Sequence, residues 1–100
     1  MNVAEKDTAL FASLVMMFHS ATMQHLGKVK NPLSDKIERD LDQAQMTIDM
    51  LEMLDRKTKG NLNEDEAHYL GNVLRELRLN YVDERSKKSE EQPPKDEEQS

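Results

Sequence analysis

Apolar residues recur at steps of three and four through three stretches of the chain, the spacing of helices with a buried face. The first stretch, Thr8 to Gly27, reads TALFASLVMMFHSATMQHLG and contains no Asp, Glu, Lys or Arg, although 34% of the chain is charged. Asp7 or Thr8 is a suitable cap and Gly27 a suitable left-handed stop, so a helix is expected over about 8–26. At 100° per residue, Leu10, Leu14, Met17 and Ala21 form one stripe, flanked by Phe11 and Phe18. Ala12, Met16, His19 and Met23 form a second stripe on nearly the opposite side.

The segment KVKNPLS then interrupts the periodicity and reads as a connector. Asp35 and Glu38 have the spacing of a capping box, and Gly60 follows a basic last turn of Arg56, Lys57 and Lys59. These signals predict a second helix over about 35–59. Ile37, Leu41, Ala44, Ile48 and Leu51 form its seam, with Met46, Met50 and Met53 almost opposite. Asn63 and Glu66, with Glu64 and Asp65 between them, mark the start of a third helix over about 63–82, and Leu62 is placed to staple onto Ala67. Its stripe is Ala67, Leu70, Leu74, Leu77 and Tyr81, beside Val73, and Gly71 suggests a close helix approach. The short turn KGNLN makes the second and third helices an antiparallel hairpin.

Beyond Val82 the text changes to DERSKKSEEQPPKDEEQS, with seven acidic and four basic residues and almost no apolar surface. Such a segment cannot bury enough to offset the entropy of ordering it. The expected architecture is therefore an all-α, three-helix up-down bundle over residues 1–82, followed by a disordered acidic tail over 83–100.

Composition narrows the function classes. Seven Met, two Phe, two Tyr and no Trp leave a core of Leu, Ile, Met and Ala, and three Gly with three Pro favour helix over strand. A net charge of -6 gives no basic face for phosphate neutralisation, so nucleic acid is not an expected partner. The lack of cysteine removes disulfides, thiolate chemistry and Cys-based zinc sites, and fits the cytoplasm. The opening MNVAEKDTAL lacks the positive flank of a secretory signal, so the mature chain is expected to start at Met1.

The run IDMLEMLDRKTKGNLNEDEAHYLGNVLRELRLNYV, Ile48 to Val82, resembles the hallmark segment of a family of small bacterial proteins of unknown function. Phe11 to Lys28, the Pro-containing connector and Asp40 to Asp49 follow the same family's order of parts. KTKGNL (Lys57 to Leu62) and LRLNYV (Leu77 to Val82) carry the resemblance most specifically. It implies a compact helical protein of the bacterial cytoplasm, and implies no activity, cofactor or substrate.

The residue types that could carry chemistry do not converge. His19 and His25 project from helix 1 about 120° apart, too far to chelate one ion from one helix. Glu64 and His68 have i, i+4 spacing without a second such pair, and capping accounts for Glu64. Asp40, Asp42 and Asp49 spread around helix 2 as a solvated face would. Ser13, His19 and Asp49 supply the residue types of a triad but no strained serine turn or glycine-rich anion hole. Lys57, Lys59 and Asn61 sit at a helix C-terminus, which repels anions. No catalytic residue, metal site or cofactor is expected, and the chain is read as a non-enzyme.

Two apolar faces on one helix cannot both point into a single three-helix core. Either the Met stripes of helices 1 and 2 meet within the chain, or a partner covers them. The leading expectation is a homo-oligomer, or a module binding another protein, with Met16, His19, Met23, Met46, Met50 and Met53 as contacts. At such a two-fold interface His19 could pair with its own copy. The alternative is a peripheral membrane contact through helix 1, which lacks the cationic polar face that anionic lipids attract.

Overall fold

Asn2 opens the first helix, five residues before the position expected of it. Its Oδ1 accepts from the Glu5 amide at 2.8 Å, and its own amide donates to Glu5 Oε1 at 3.2 Å, a complete capping box. In the computed structural model, which describes residues 2–91, α1 runs Val3–His25, α2 Leu41–Lys57 and α3 Glu64–Glu91. The described residues are all-α, three helices without a named strand.

Each helix packs on both others. The Asp40 amide donates to the His25 carbonyl at 2.7 Å, so α2 starts beside the end of α1 and runs antiparallel to it. Thr8 at the start of α1 donates to Glu66 at 2.8 Å, so α3 starts beside α1's beginning. The order is up, down, up. Between the helices lies a core of Val15, Ile48, Leu51, Leu70, Val73, Leu74 and Leu77, each 6% exposed or less, edged by Phe11, Phe18, Met23, Leu54, Leu62, Tyr69 and Tyr81.

Three element boundaries differ from the reading of the sequence. Thr8 is not a cap, because Asn2 and Glu5 already satisfy the first amides of α1. Its hydroxyl instead joins the start of α3, donating to Glu66 and accepting from Asn63 Nδ2 at 3.3 Å. α2 begins at Leu41 rather than near Asp35. Asp35 is held in a left-handed conformation at φ 59°, and Glu38 accepts from Asn31 instead of capping. Residues 26–40 double back through isolated bridges Leu26 to Arg39 and Asn31 to Lys36, so Asp40 takes the cap, accepting from the Gln43 amide at 3.1 Å. Ile37 consequently leaves the helix-2 seam and is 56% exposed.

α3 starts as expected: Asn63 and Glu66 exchange both bonds of a capping box, at 2.8 and 2.9 Å. Leu62 packs on the core, but Ala67 faces solvent, so no staple joins them. Nothing lies within 4 Å of a Cβ built at Gly71, so no helix approaches closely there. The helix continues nine residues past Val82, and the expected tail boundary at 83 is corrected accordingly. The remainder of that expected tail, 92–100, lies outside the described residues.

The stop at Gly27 holds. It adopts φ 78°, and an added Cβ would meet Arg39 Cβ at 3.4 Å, so the chain reverses against its own returning segment there. Thr22, fully buried in α1, meets Thr47 of α2 with the hydroxyl oxygens 2.6 Å apart. Whichever donates across, the other has a carbonyl of its own helix to donate to, Phe18 at 2.7 Å or Ala44 at 3.0 Å. The buried polar pair is therefore satisfied.

Candidate functional site

Two arrangements of side chains stand out, an ion cluster at one end of the bundle and an apolar face along its side. The cluster is built from the connector and from the part of α3 beyond Val82. Glu84, 6% exposed, accepts from Lys28 Nζ at 2.8 Å, Arg39 Nη1 at 2.9 Å and Lys87 Nζ at 3.2 Å. Asp83 accepts from the same Lys28 at 2.8 Å. Burial alone would push the Glu84 carboxyl up; hydrogen bonds from the three cations outweigh it and hold the group at about 2. The two carboxylates in turn raise Lys28 above its ordinary value, and the lysines lower Asp83. This cluster ties the returning connector to α3.

The apolar face follows from which side of each helix the core takes. On α1 the core side carries Phe11, Val15, Phe18 and Thr22; Leu10, Leu14 and Met17 lie on average about 100° around the helix from it. They are 56%, 40% and 68% exposed. On α2 the core side carries Ala44, Ile48 and Leu51, and Met46, Met50 and Met53 lie opposite, 51%, 41% and 41% exposed.

Cross-helix contacts orient the two stripes relative to each other. α1 meets α3 through Thr8 and His19 and meets α2 through Thr22; α2 meets α3 through Glu52, which accepts from Arg78 at 2.8 Å. Turning from those contacts at about 100° per residue, both exposed stripes point to the side of the α1–α2 layer away from α3. Six large apolar side chains thus share one outer face.

Of the expected contact residues, Met46, Met50 and Met53 lie on this face. The structure does not bring the other three to it. Met23 packs against the core, and His19 Nε2 lies 3.3 Å from Glu76 of α3. Met16, 50% exposed, points about 100° around α1 from Met17, toward the α3 flank. The Met stripes of α1 and α2 therefore do not meet within the chain. Leu10, Leu14 and Met17 take the places beside the α2 methionines. Val15 was the legible signal, since Phe11, Val15, Phe18 and Thr22 recur at four, three and four, and only Thr22's polarity obscures the stripe.

The other candidate groups are engaged locally. Ser13 donates to its own helix at the Ala9 carbonyl, Asp49 accepts from Gln45, Asp40 caps α2, and Glu64 and His68 are exposed. A cleft of about 330 Å³ opens between Gln24, His25, Asn31, Glu38, Arg39 and Asp40, but Glu38, Arg39 and Asp40 are already bonded to Asn31, Glu84 and the α2 amides. Among the described residues, no group of three or more His, Cys, Asp or Glu is placed to hold a metal ion. No helix there is long and apolar enough to cross a membrane.

The fold and face define a small three-helix protein with an uncovered apolar side. Residues 8–84 match the family described as a domain of unknown function (DUF1844), and the chain belongs to that family. The match takes in most of α1, all of α2, the ion cluster up to Glu84 and the core of α3. No curated protein and no solved structure matches the chain.

Proposed function

We propose that this chain is a non-catalytic interaction module of the bacterial cytoplasm, and that the α1–α2 face is its working surface. One observation carries the reading: Leu10, Leu14, Met17, Met46, Met50 and Met53 stand 40–68% exposed on a single side of the molecule. Scattered exposed apolar residues are ordinary, but a contiguous patch of this kind marks a surface that something covers. Methionine suits such a surface because its unbranched thioether repacks against different partners. A membrane contact through α1 is less well supported, since α1 carries one lysine, Lys6, and α2 only Arg56 and Lys57 in its last turn, whereas anionic lipid draws on a broad cationic rim.

The test is oxidation footprinting. Hydrogen peroxide is applied to the full chain in its host cells and to the purified chain at nanomolar dilution, and each methionine is read by mass spectrometry. Protection of Met17, Met46, Met50 and Met53 in cells, with Met16 reacting equally in both, supports the reading. Equal oxidation of all five in the two samples would show that nothing covers the face. Flotation with anionic vesicles adds the membrane arm, and co-flotation of the chain would move the assignment to lipid.

A further inference from the structure

The α1–α2 face carries a charge pattern that identifies its occupant. Along α2 the three exposed methionines are bracketed by Asp42 in the first turn and Lys57 in the last, on the same side of the helix. Both are exposed, and among the described residues neither has an ion-pair partner. Numbering about the midpoint between Asp49 and Met50 makes the pattern self-complementary. Met46 and Met53 are equidistant from that point, and so are Asp42 and Lys57, each about 11 Å along the axis at 1.5 Å per residue.

Resting on the reading of this face as an interface, we infer that its occupant is a second copy of this chain, with α2 packed antiparallel on α2 about a two-fold axis near Met50. In that arrangement Met46 meets the other copy's Met53, and Asp42 meets the other copy's Lys57 twice per dimer, as an isologous contact requires. A parallel arrangement of α2 on α2 would set Asp42 on Asp42 and Lys57 on Lys57. A shallow crossing of about 20° keeps these outer charges within reach of a lysine side chain, whereas a steep one of about 50° would not. The flanking stripe of Leu10, Leu14 and Met17 extends the contact onto α1. Six side chains exposed to this degree supply on the order of 600 Å² per copy, most of the roughly 800 Å² that a stable interface buries on each partner.

Sedimentation velocity on the full chain, with Asp42→Lys, Lys57→Asp and the double exchange, tests the register. Each single variant replaces two attractions by two repulsions and should weaken the dimer at least tenfold. The double variant should return to within about threefold of wild type. Every variant opposes the α2 dipole, most of all the double one, so helix destabilisation cannot produce the rescue. Circular dichroism checks that all remain helical. In this cysteine-free chain Met50→Cys, beside the axis, should form an interchain disulfide under mild oxidant.

Single variants indistinguishable from wild type, or singles weakened without rescue, would overturn the antiparallel register. A wild-type monomer at 100 micromolar whose methionines are nevertheless protected in cells would overturn the second copy while leaving the interaction module standing. A monomer with unprotected methionines would remove both.

Discussion

Glu84 shows how much one residue can hold. A carboxylate this buried is stable only because Lys28, Arg39 and Lys87 converge on it, and removing one partner of a buried ion pair typically costs several kcal/mol. Lys28 and Arg39 keep some access to water, so Glu84→Gln should cost about 3 kcal/mol, at the lower end of that range. Urea unfolding at pH 7 measures it. The same carboxyl sets an acid limb. Its folded value of about 2 lies below the ordinary 4.5, so its contribution is complete above pH 4.5 and lost as pH falls toward 2. Lys28, raised by its carboxylate partners, contributes fully below 10.5 and loses that contribution as pH rises beyond it. Stability should therefore be level between about pH 5 and 10 with respect to this cluster. Glu84→Gln should flatten the fall between pH 5 and 2; an unchanged acid limb would assign that limb to other carboxylates.

At the scale of the elements, Leu74 and Gly27 test the two assignments that the rest of the fold depends on. Leu74 is 2% exposed in the core cluster, and its replacement by Ala should cost about 2 to 5 kcal/mol. Gly27→Ala forces an L side chain into φ 78° and should cost about 1 kcal/mol or more, with the loss appearing as faster exchange of the Lys28 and Asp40 amides. The helices themselves were legible because Asn63, Glu66 and Gly27 act locally, through bonds and φ preferences that a sequence displays. Asn2 and Glu5 repeat the spacing of Asn63 and Glu66, so the start of α1 is equally legible, ahead of the competing caps Asp7 and Thr8. The connector was not. Asp35 and Glu38 look like a cap, but the bridge from Leu26 to Arg39 and the pull of Glu84 on Arg39 are long-range, and they decide that the chain turns before it coils. Likewise nothing local to Asp83 and Glu84 shows that they meet Lys28 and Arg39, which lie far back along the chain. A charged segment read as tail continues the helix for that reason. The α2 half of the apolar face was visible from periodicity. Its α1 half showed only in the helical spacing of Phe11, Val15 and Phe18, which the polar Thr22 obscures; helix 1 is apolar on several sides, and packing decides which of its stripes turns inward.

On the proposed dimer, folding and association are coupled at the scale of the whole molecule. Its core is small, and a face left uncovered contributes nothing to stability until a second copy buries it. A partner that binds only the folded chain stabilises it by mass action, about 2.7 kcal/mol when the partner is a hundredfold above its dissociation constant. For a domain of this size that corresponds to a rise in Tm on the order of 10 °C. The melting temperature of wild type should therefore climb with chain concentration from nanomolar to tens of micromolar. Met17→Glu with Met50→Glu places a charge in each half of the buried face and should melt at one temperature throughout, near the dilute value of wild type, because both sites are exposed in the monomer and their replacement breaks no core contact. Thermal melts followed by circular dichroism at the concentrated end and by tyrosine fluorescence at the dilute end cover that range. A wild-type Tm that stays constant with concentration, with the double variant superimposed on it, would show that the face adds nothing to the stability of the isolated chain and that self-association is not what covers it.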